Sequence, residues 1–224
     1  MSSGPARRAF AHGLEDLRLQ VELMAMRVDQ ALERMRAVIE DGDHAAATLV
    51  IAADNEIDAS NVDLMERCHE LLSREQPVAG DLRLIVGALR VTAELERVGD
   101  LAIRGTKAAE AHELLASEPV VHDLLVSMAN RAITEFRVAE RAWATCDLGL
   151  ATELNSGGEE MALLADRLVT ELIGLRRRDA PELAIRAVTV GRSLDRIADH
   201  ARVIGARVRY LITGDSEHLA AEVR

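Results

Sequence analysis

Apolar residues return along this chain at steps of three and four over long stretches, the spacing that lines one face of an α-helix. Leu84, Ala88, Val91, Leu95, Val98 and Ala102 form one such stripe, and Ile185, Val188, Leu194, Ile197, Ala201, Ile204 and Val208 form another. Turn and capping residues divide the pattern into six predicted helices. The first runs from about Pro5 to Glu40 and stops at Asp41-Gly42-Asp43. The second begins near His44 and ends before Gln76-Pro77, since proline disfavours helical geometry in its predecessor. The third spans roughly Val78 to Leu115. Ser117-Glu118-Pro119 then separates two halves, with Ser117 read as an N-cap and Pro119 as a first-turn residue. The fourth helix reaches about Thr145, and Cys146-Asp147-Leu148-Gly149 breaks it. The fifth runs to about Arg177, and Asp179-Ala180-Pro181 introduces a sixth that stops at Gly214, a residue suited to a helix C-terminus.

Each stripe needs partner helices to cover it, and three helices suffice to close a bundle. The halves also repeat each other. Glu96-Arg-Val-Gly-Asp100 matches Asp195-Arg-Ile-Ala-Asp199 at an offset of 99, which also carries Leu84 to Leu183, Val91 to Val190 and Leu95 to Leu194. Earlier in each half the offset is 104, pairing Asp43 with Asp147, Ala47 with Ala151 and Leu64 with Leu168. The predicted fold is therefore all-α: two tandem three-helix bundles, residues 1–116 and 117–216, followed by a short tail, 217–224.

Composition supports the helical reading and narrows the function. Aromatic residues make up 2% of the chain and apolar residues 49%, so Ala, Leu, Val and Met must build the core. Only four prolines interrupt it. The formal net charge of −11 argues against nucleic acid, whose phosphates need clustered Lys and Arg, and suits metal cations or a basic partner surface. Cys68 and Cys146 show no CxxC spacing and read as free thiols of a reducing compartment. Met1-Ser-Ser-Gly-Pro-Ala-Arg-Arg has no apolar run behind the arginines, so no secretory signal is expected. The longest nearly apolar stretch, Ala45–Ala53, falls well short of the ~20 residues that cross a bilayer. A cytoplasmic protein without direct membrane insertion is expected.

Asp54 and Asp58 are four residues apart, as are Glu96 and Asp100, so each pair lies on one face of its helix. The two helices are consecutive and antiparallel, and where the faces oppose each other four carboxylates converge. Like charges ~4 Å apart repel by ~4 kcal/mol at an effective dielectric near 20, so such a cluster protonates, binds a cation or splays into solvent. Oxygen ligands suit hard ions. Ordinary ion-pair decoration of a solvated face, with Asp100 to Arg104 and Arg196 between Asp195 and Asp199, is the commoner origin of such spacing, so spacing alone does not decide.

Gln76-Pro-Val-Ala-Gly-Asp-Leu-Arg83 followed by Glu94-Leu-Glu-Arg-Val-Gly-Asp100 resembles the first half of PhoU-family proteins. Ser193-Leu-Asp-Arg-Ile-Ala-Asp-His-Ala201 with Arg207-Val-Arg-Tyr-Leu-Ile-Thr-Gly214 resembles the second, and Asp54-Asn-Glu-Ile-Asp58 the remaining acidic motif of the first. The resemblance covers nearly the whole chain. It implies a six-helix protein that is not an enzyme and that acts as a negative regulator of phosphate uptake and phosphate-starvation signalling. The implied partners are the phosphate ABC transporter ATPase subunit and a phosphate-sensing histidine kinase, with a homodimer expected. It also implies a divalent or trivalent metal (Fe, Zn, Mn or Mg) on Asp54, Asp58, Glu96 and Asp100. In the second half Asp195 and Asp199 match, but Gly158 and Ala162 stand opposite Asp54 and Asp58. Glu159 and Glu160 are rotated off the matching face by ~100° or more. One full metal site and a weak or empty second one are expected. An accessory subunit of a low-affinity phosphate transporter is the alternative reading.

Other features carry less. Glu66-Arg67-Cys68-His69 has the Glu-x-x-His spacing of carboxylate-bridged metal oxidases but occurs once, where such bundles use it twice. His200 is expected partly exposed, Arg176-Arg177-Arg178 to meet a helix C-terminal dipole, and Trp143 to pack between helices. Gly157-Gly158 reads as a local weakness. No phosphate-cradling glycine loop or nucleophile with a base is visible.

Overall fold

The computed structural model describes residues 4–74 and 77–223; Gln76 of the first motif and Arg224 of the expected tail lie outside them. No strand occurs among the described residues. The helices are α1 (Pro5–Asp41), α2 (His44–Arg74), α3 (Ala79–Ala109), α4 (His112–Ala116), α5 (Pro119–Thr145), α6 (Leu148–Glu153), α7 (Gly158–Gly174) and α8 (Ala180–Thr213). Short 3-10 segments cover Leu154–Ser156 and Ser216–Val223.

Local chemistry sets several of these ends where the sequence places them. Gly42 caps α1 at φ 71° and Gly214 caps α8 at φ 73°, both left-handed conformations that cost glycine little. Asp43 Oδ1 accepts the amide of Ala46 at 3.0 Å at the start of α2. At the repeat offset of 104, Cys146 caps α5 at φ 49°, and Asp147 Oδ1 accepts from Gly149 (2.7 Å) and Leu150 (3.0 Å). The same turn is thus built twice, with a cysteine carrying in the second half the backbone strain that a glycine avoids in the first.

Helices α1, α2 and α3 pack on one another, and α5, α7 and α8 do likewise, giving two three-helix bundles. The bundles join through their inner helices. Helix α8 runs antiparallel to α3, as Arg83 reaches the carbonyl of Leu211, Glu94 meets His200, and Gly105 lies against Ser193. Helix α5 runs antiparallel to α1, tied by Arg137 to Asp29 (2.7 Å) and Glu33 (2.6 Å). Trp143 lies where these four helices meet, beside Val21, Val91, Phe136 and Ile204, as its expected packing requires. Helix α2 and the α6–α7 segment are left on the outside.

The structure corrects several expectations, among them the fifth helix, which breaks into α6, a 3-10 turn and α7. The third helix is broken at Glu110–Ala111, where no Gly or Pro announces it. His112 Nδ1 (3.2 Å) and His122 Nε2 (3.1 Å) both donate to the carbonyl of Ile39, so the turn is held by the end of α1. Ser117 is not an N-cap: its hydroxyl donates back to Leu114, and Glu118 precedes α5 without a side-chain cap. Ile185 is exposed, because the buried stripe of α8 runs through Leu183, Ala187, Val190 and Leu194 on the opposite side. His200 is buried, its Nδ1 2.5 Å from Glu94 Oε2. Of the three arginines, Arg176 does cap α7, donating to Ile173 and Leu175, whereas Arg177 binds Ser117, Glu118 and Asp179. Among the described residues no helix is long and apolar enough to cross a membrane.

The Glu94–His200 contact gives the junction of the bundles a pH dependence. Burial raises the Glu94 carboxyl, but the His200 hydrogen bond and nearby positive charge outweigh it and hold the group below its ordinary 4.5. A lowered carboxylate stabilises the fold fully above its ordinary value and loses that contribution as pH falls through the folded one. Glu94→Gln should therefore cost roughly 1–2 kcal/mol at pH 7, as loss of a charge-assisted bond does. The difference from wild type should shrink as pH falls below 4.5, as checked by urea unfolding at pH 7 and at successively lower pH.

Candidate metal-binding face

Between α2 and α3 a glycine sets the spacing. Ile57 is buried against Gly99, where a Cβ would stand 3.2 Å from its Cδ1 and 3.4 Å from its Cγ2. Asp54 and Asp58 flank Ile57 on α2, and Glu96 and Asp100 flank Gly99 on α3, so this close approach turns the two acidic pairs towards one another. Among the described residues none of the four accepts a hydrogen bond or forms an ion pair. The expected Asp100–Arg104 pair is absent there too.

Their electrostatics register the crowding. Burial, then the charges of Asp58 and Asp100, raise the Asp54 carboxyl above its ordinary value, against a smaller opposing effect of Lys107. Burial, then Asp100 and Asp58, raise Glu96, against Arg97. Among the described residues no protein cation pairs with these four oxygen-donor groups, which suit a hard metal ion in charge and chemistry. They are not a closed cage: among the described residues no three Asp, Glu, His or Cys side chains stand close enough to grip one ion. Asp58 and Asp100 are exposed.

The second half differs. Burial and Asp199 raise the Asp195 carboxyl, with Arg202 acting against them. Asp199 is paired with Arg202 Nη2 at 2.6 Å, and Arg196 lies 3.9 Å away. Arg202 Nη1 also donates to Glu135 at 2.9 Å, and Arg131 bridges Glu135 and Glu160, both at 2.8 Å. Glu135 is 3% exposed. Arg131–Glu135 and Asp199–Arg202 are helical neighbours, but no short-range signal marks the link that joins them, since Glu135 and Arg202 are 67 positions apart. The Glu-x-x-His run gathers no such company: Glu66 and His69 are exposed, and burial pushes the Cys68 thiol between them up to about 11. Cys68 and Cys146 are free thiols.

Comparison with known proteins adds the family. Residues 21–108 match the family model described as the PhoU domain. A phosphate-specific transport system accessory protein PhoU homolog of Deinococcus radiodurans is 30% identical over 172 residues, 75% of this chain and 79% of that relative. The phosphate-specific transport system accessory protein PhoU of Serratia marcescens is 26% identical over 216 residues, 95% of this chain and 88% of that relative. The crystal structure of PhoU from Pseudomonas aeruginosa superposes with a TM-score of 0.87 at 27% identity, covering 92% of this chain and all of that one.

The raised carboxylates give a sign that metal-free protein should show. A carboxylate whose folded pKa is raised destabilises the fold once charged, so stability falls as pH rises through the folded value. Asp54→Asn with Glu96→Gln should raise the metal-free Tm at pH 7.5 by roughly 2–4 °C, the shift that ~1 kcal/mol makes at this size. The gain should vanish near pH 3.5 in a thermal melt. Gly99→Val, by contrast, should lower stability by about 1–3 kcal/mol through overpacking against Ile57 and spread the acidic pairs, weakening cation uptake measured on the same samples.

Proposed function

Because the chain belongs to the PhoU family, we propose that it is an accessory protein of phosphate-specific transport that restrains phosphate uptake when phosphate is ample. The observation that supports this reading is the match over nearly the full length of relatives named as phosphate-specific transport system accessory proteins, combined with the superposition on a solved PhoU. In this reading the protein is an adaptor at the inner face of the membrane. It contacts the ATPase subunit of the phosphate ABC transporter and a phosphate-sensing histidine kinase, keeps phosphate-starvation signalling off, and works as a homodimer.

The cation belongs to the first bundle. Asp54 and Asp58 would supply oxygen ligands from α2, and Glu96 and Asp100 from α3, to a divalent or trivalent ion such as Fe, Zn, Mn or Mg. Bound there, the ion would cancel the repulsion that, after burial, raises Asp54 and Glu96, and would tie α2 to α3. Asp195 and Asp199 would contribute no more than a weak second site, since Arg202 already engages Asp199.

Two experiments separate the regulatory and the metal claims. Deletion of the gene should raise phosphate uptake and switch on a phosphate-starvation reporter in phosphate-replete cells; unchanged uptake and reporter output would remove the regulatory role. Replacing Asp54, Asp58, Glu96 and Asp100 together by Ala should abolish bound metal in elemental analysis. Unaltered metal content in the folded variant would place the ion elsewhere.

A further inference from the structure

The second bundle supplies its own cation where the first leaves room for a foreign one. At the repeat offset of 104, Gly158 takes the place of Asp54. A Cβ built on Gly158 would stand 3.6 Å from Arg202 Nη1 and 3.7 Å from its Cζ, so the guanidinium covers the position from which the missing carboxylate would have pointed. The same guanidinium binds Asp199, the counterpart of Asp100. It also binds Glu135, which is buried and reaches in from α5. At the repeat offsets the counterparts of Arg202 and Glu135 are Ile103 and Ala31, so neither charge exists in the first half.

Gly157 completes the arrangement. A Cβ there would lie 2.8 Å from Glu135 Oε1 and 3.0 Å from Arg131 Nη2, and its carbonyl accepts from Arg131 at 3.3 Å. The paired glycines leave space for two arginines and a buried glutamate, in the segment where the first half runs an unbroken helix with two aspartates. Arg202, Arg131, Glu135, Asp199 and Glu160 make a network in which each carboxylate meets a guanidinium, the planar group best matched to carboxylate geometry.

From this geometry we infer that Arg202 replaces the metal ion of the second repeat: its guanidinium is a built-in cation that satisfies Asp199 and excludes an exogenous one. The inference uses the proposed first-half site only as the pattern for comparison, and its test is made with that site removed, so that the two fail separately.

The starting protein is the full chain with Asp54→Asn, Asp58→Asn, Glu96→Gln and Asp100→Asn. Into it go Gly158→Asp and Ala162→Asp, which restore the first-half pattern opposite Asp195 and Asp199, with Arg202 either kept or changed to Ala. Each protein is exposed to Mn²⁺ alone, gel-filtered, assayed for bound metal, and melted with and without Mn²⁺. With Arg202 kept, no Mn²⁺ should be retained and Tm should not respond, because the new carboxylates pair with the guanidinium. With Arg202→Ala, about one equivalent should be retained and Tm should rise with Mn²⁺. Should Arg202→Ala fail to fold, Arg202→Gln keeps the stem and a hydrogen-bonding head without the charge, and the same result is expected. Retention of Mn²⁺ with Arg202 in place, or a folded Arg202→Ala or Arg202→Gln protein that retains none, overturns the inference.

Discussion

Carboxylates held face to face must find a positive charge, give up ionisation or move apart, and the apolar contact beneath them decides how far they can move. In the first bundle Ile57 against Gly99 fixes that contact within one turn of all four acids. The facing of the two acidic pairs follows from it and, after burial, adds to the raising of Asp54 and Glu96. A cation binding there would add to stability in proportion to how far its concentration exceeds its dissociation constant. It would act on α3, the helix that also packs along α8.

Duplication preserved the frame and let the electrostatics diverge. Both halves turn from their first to their second helix through a left-handed residue followed by an aspartate cap, Gly42-Asp43 and Cys146-Asp147. Both send their last helix, α3 or α8, into the shared inner layer. The outer helix is where they part: α2 is continuous and carries Asp54 and Asp58, whereas its counterpart breaks into α6, a 3-10 turn and α7 around Gly157-Gly158. One half is left with uncompensated negative charge, and the other is internally neutralised by arginine. The asymmetry fits the reading of a single exchangeable cation per chain.

Features governed by neighbours in sequence were legible before the fold was seen. Gly42, Pro119 and Gly214 act through backbone geometry within a turn, and the stripe from Ala88 to Ala102 acts through helical periodicity, so each was placed correctly. The acidic pairs were legible as pairs because four-residue spacing is itself the observation. What was missed depends on distant residues. The break at Glu110–Ala111 is imposed by Ile39 of another helix, His200 is buried because Glu94 waits across the bundle junction, and Arg202 finds Glu135 only through the fold. Ile185 was misassigned because a three- and four-residue pattern drawn from it skips the true face through Leu183 and Ala187. Gly157-Gly158 looked like a weakness because a glycine's reason is the atom that comes close to it, and that atom belongs to Glu135, Arg131 or Arg202.

Anomalous diffraction from crystals of the wild-type chain grown with Mn²⁺ would show whether the α2–α3 face of the first bundle holds the cation proposed for it. The expected result is an anomalous peak bounded by Asp54, Asp58, Glu96 and Asp100, with those side chains rotated inward, and none beside Arg202. A first-bundle face without such a peak while one stands among Asp195, Asp199 and Glu135 would contradict it.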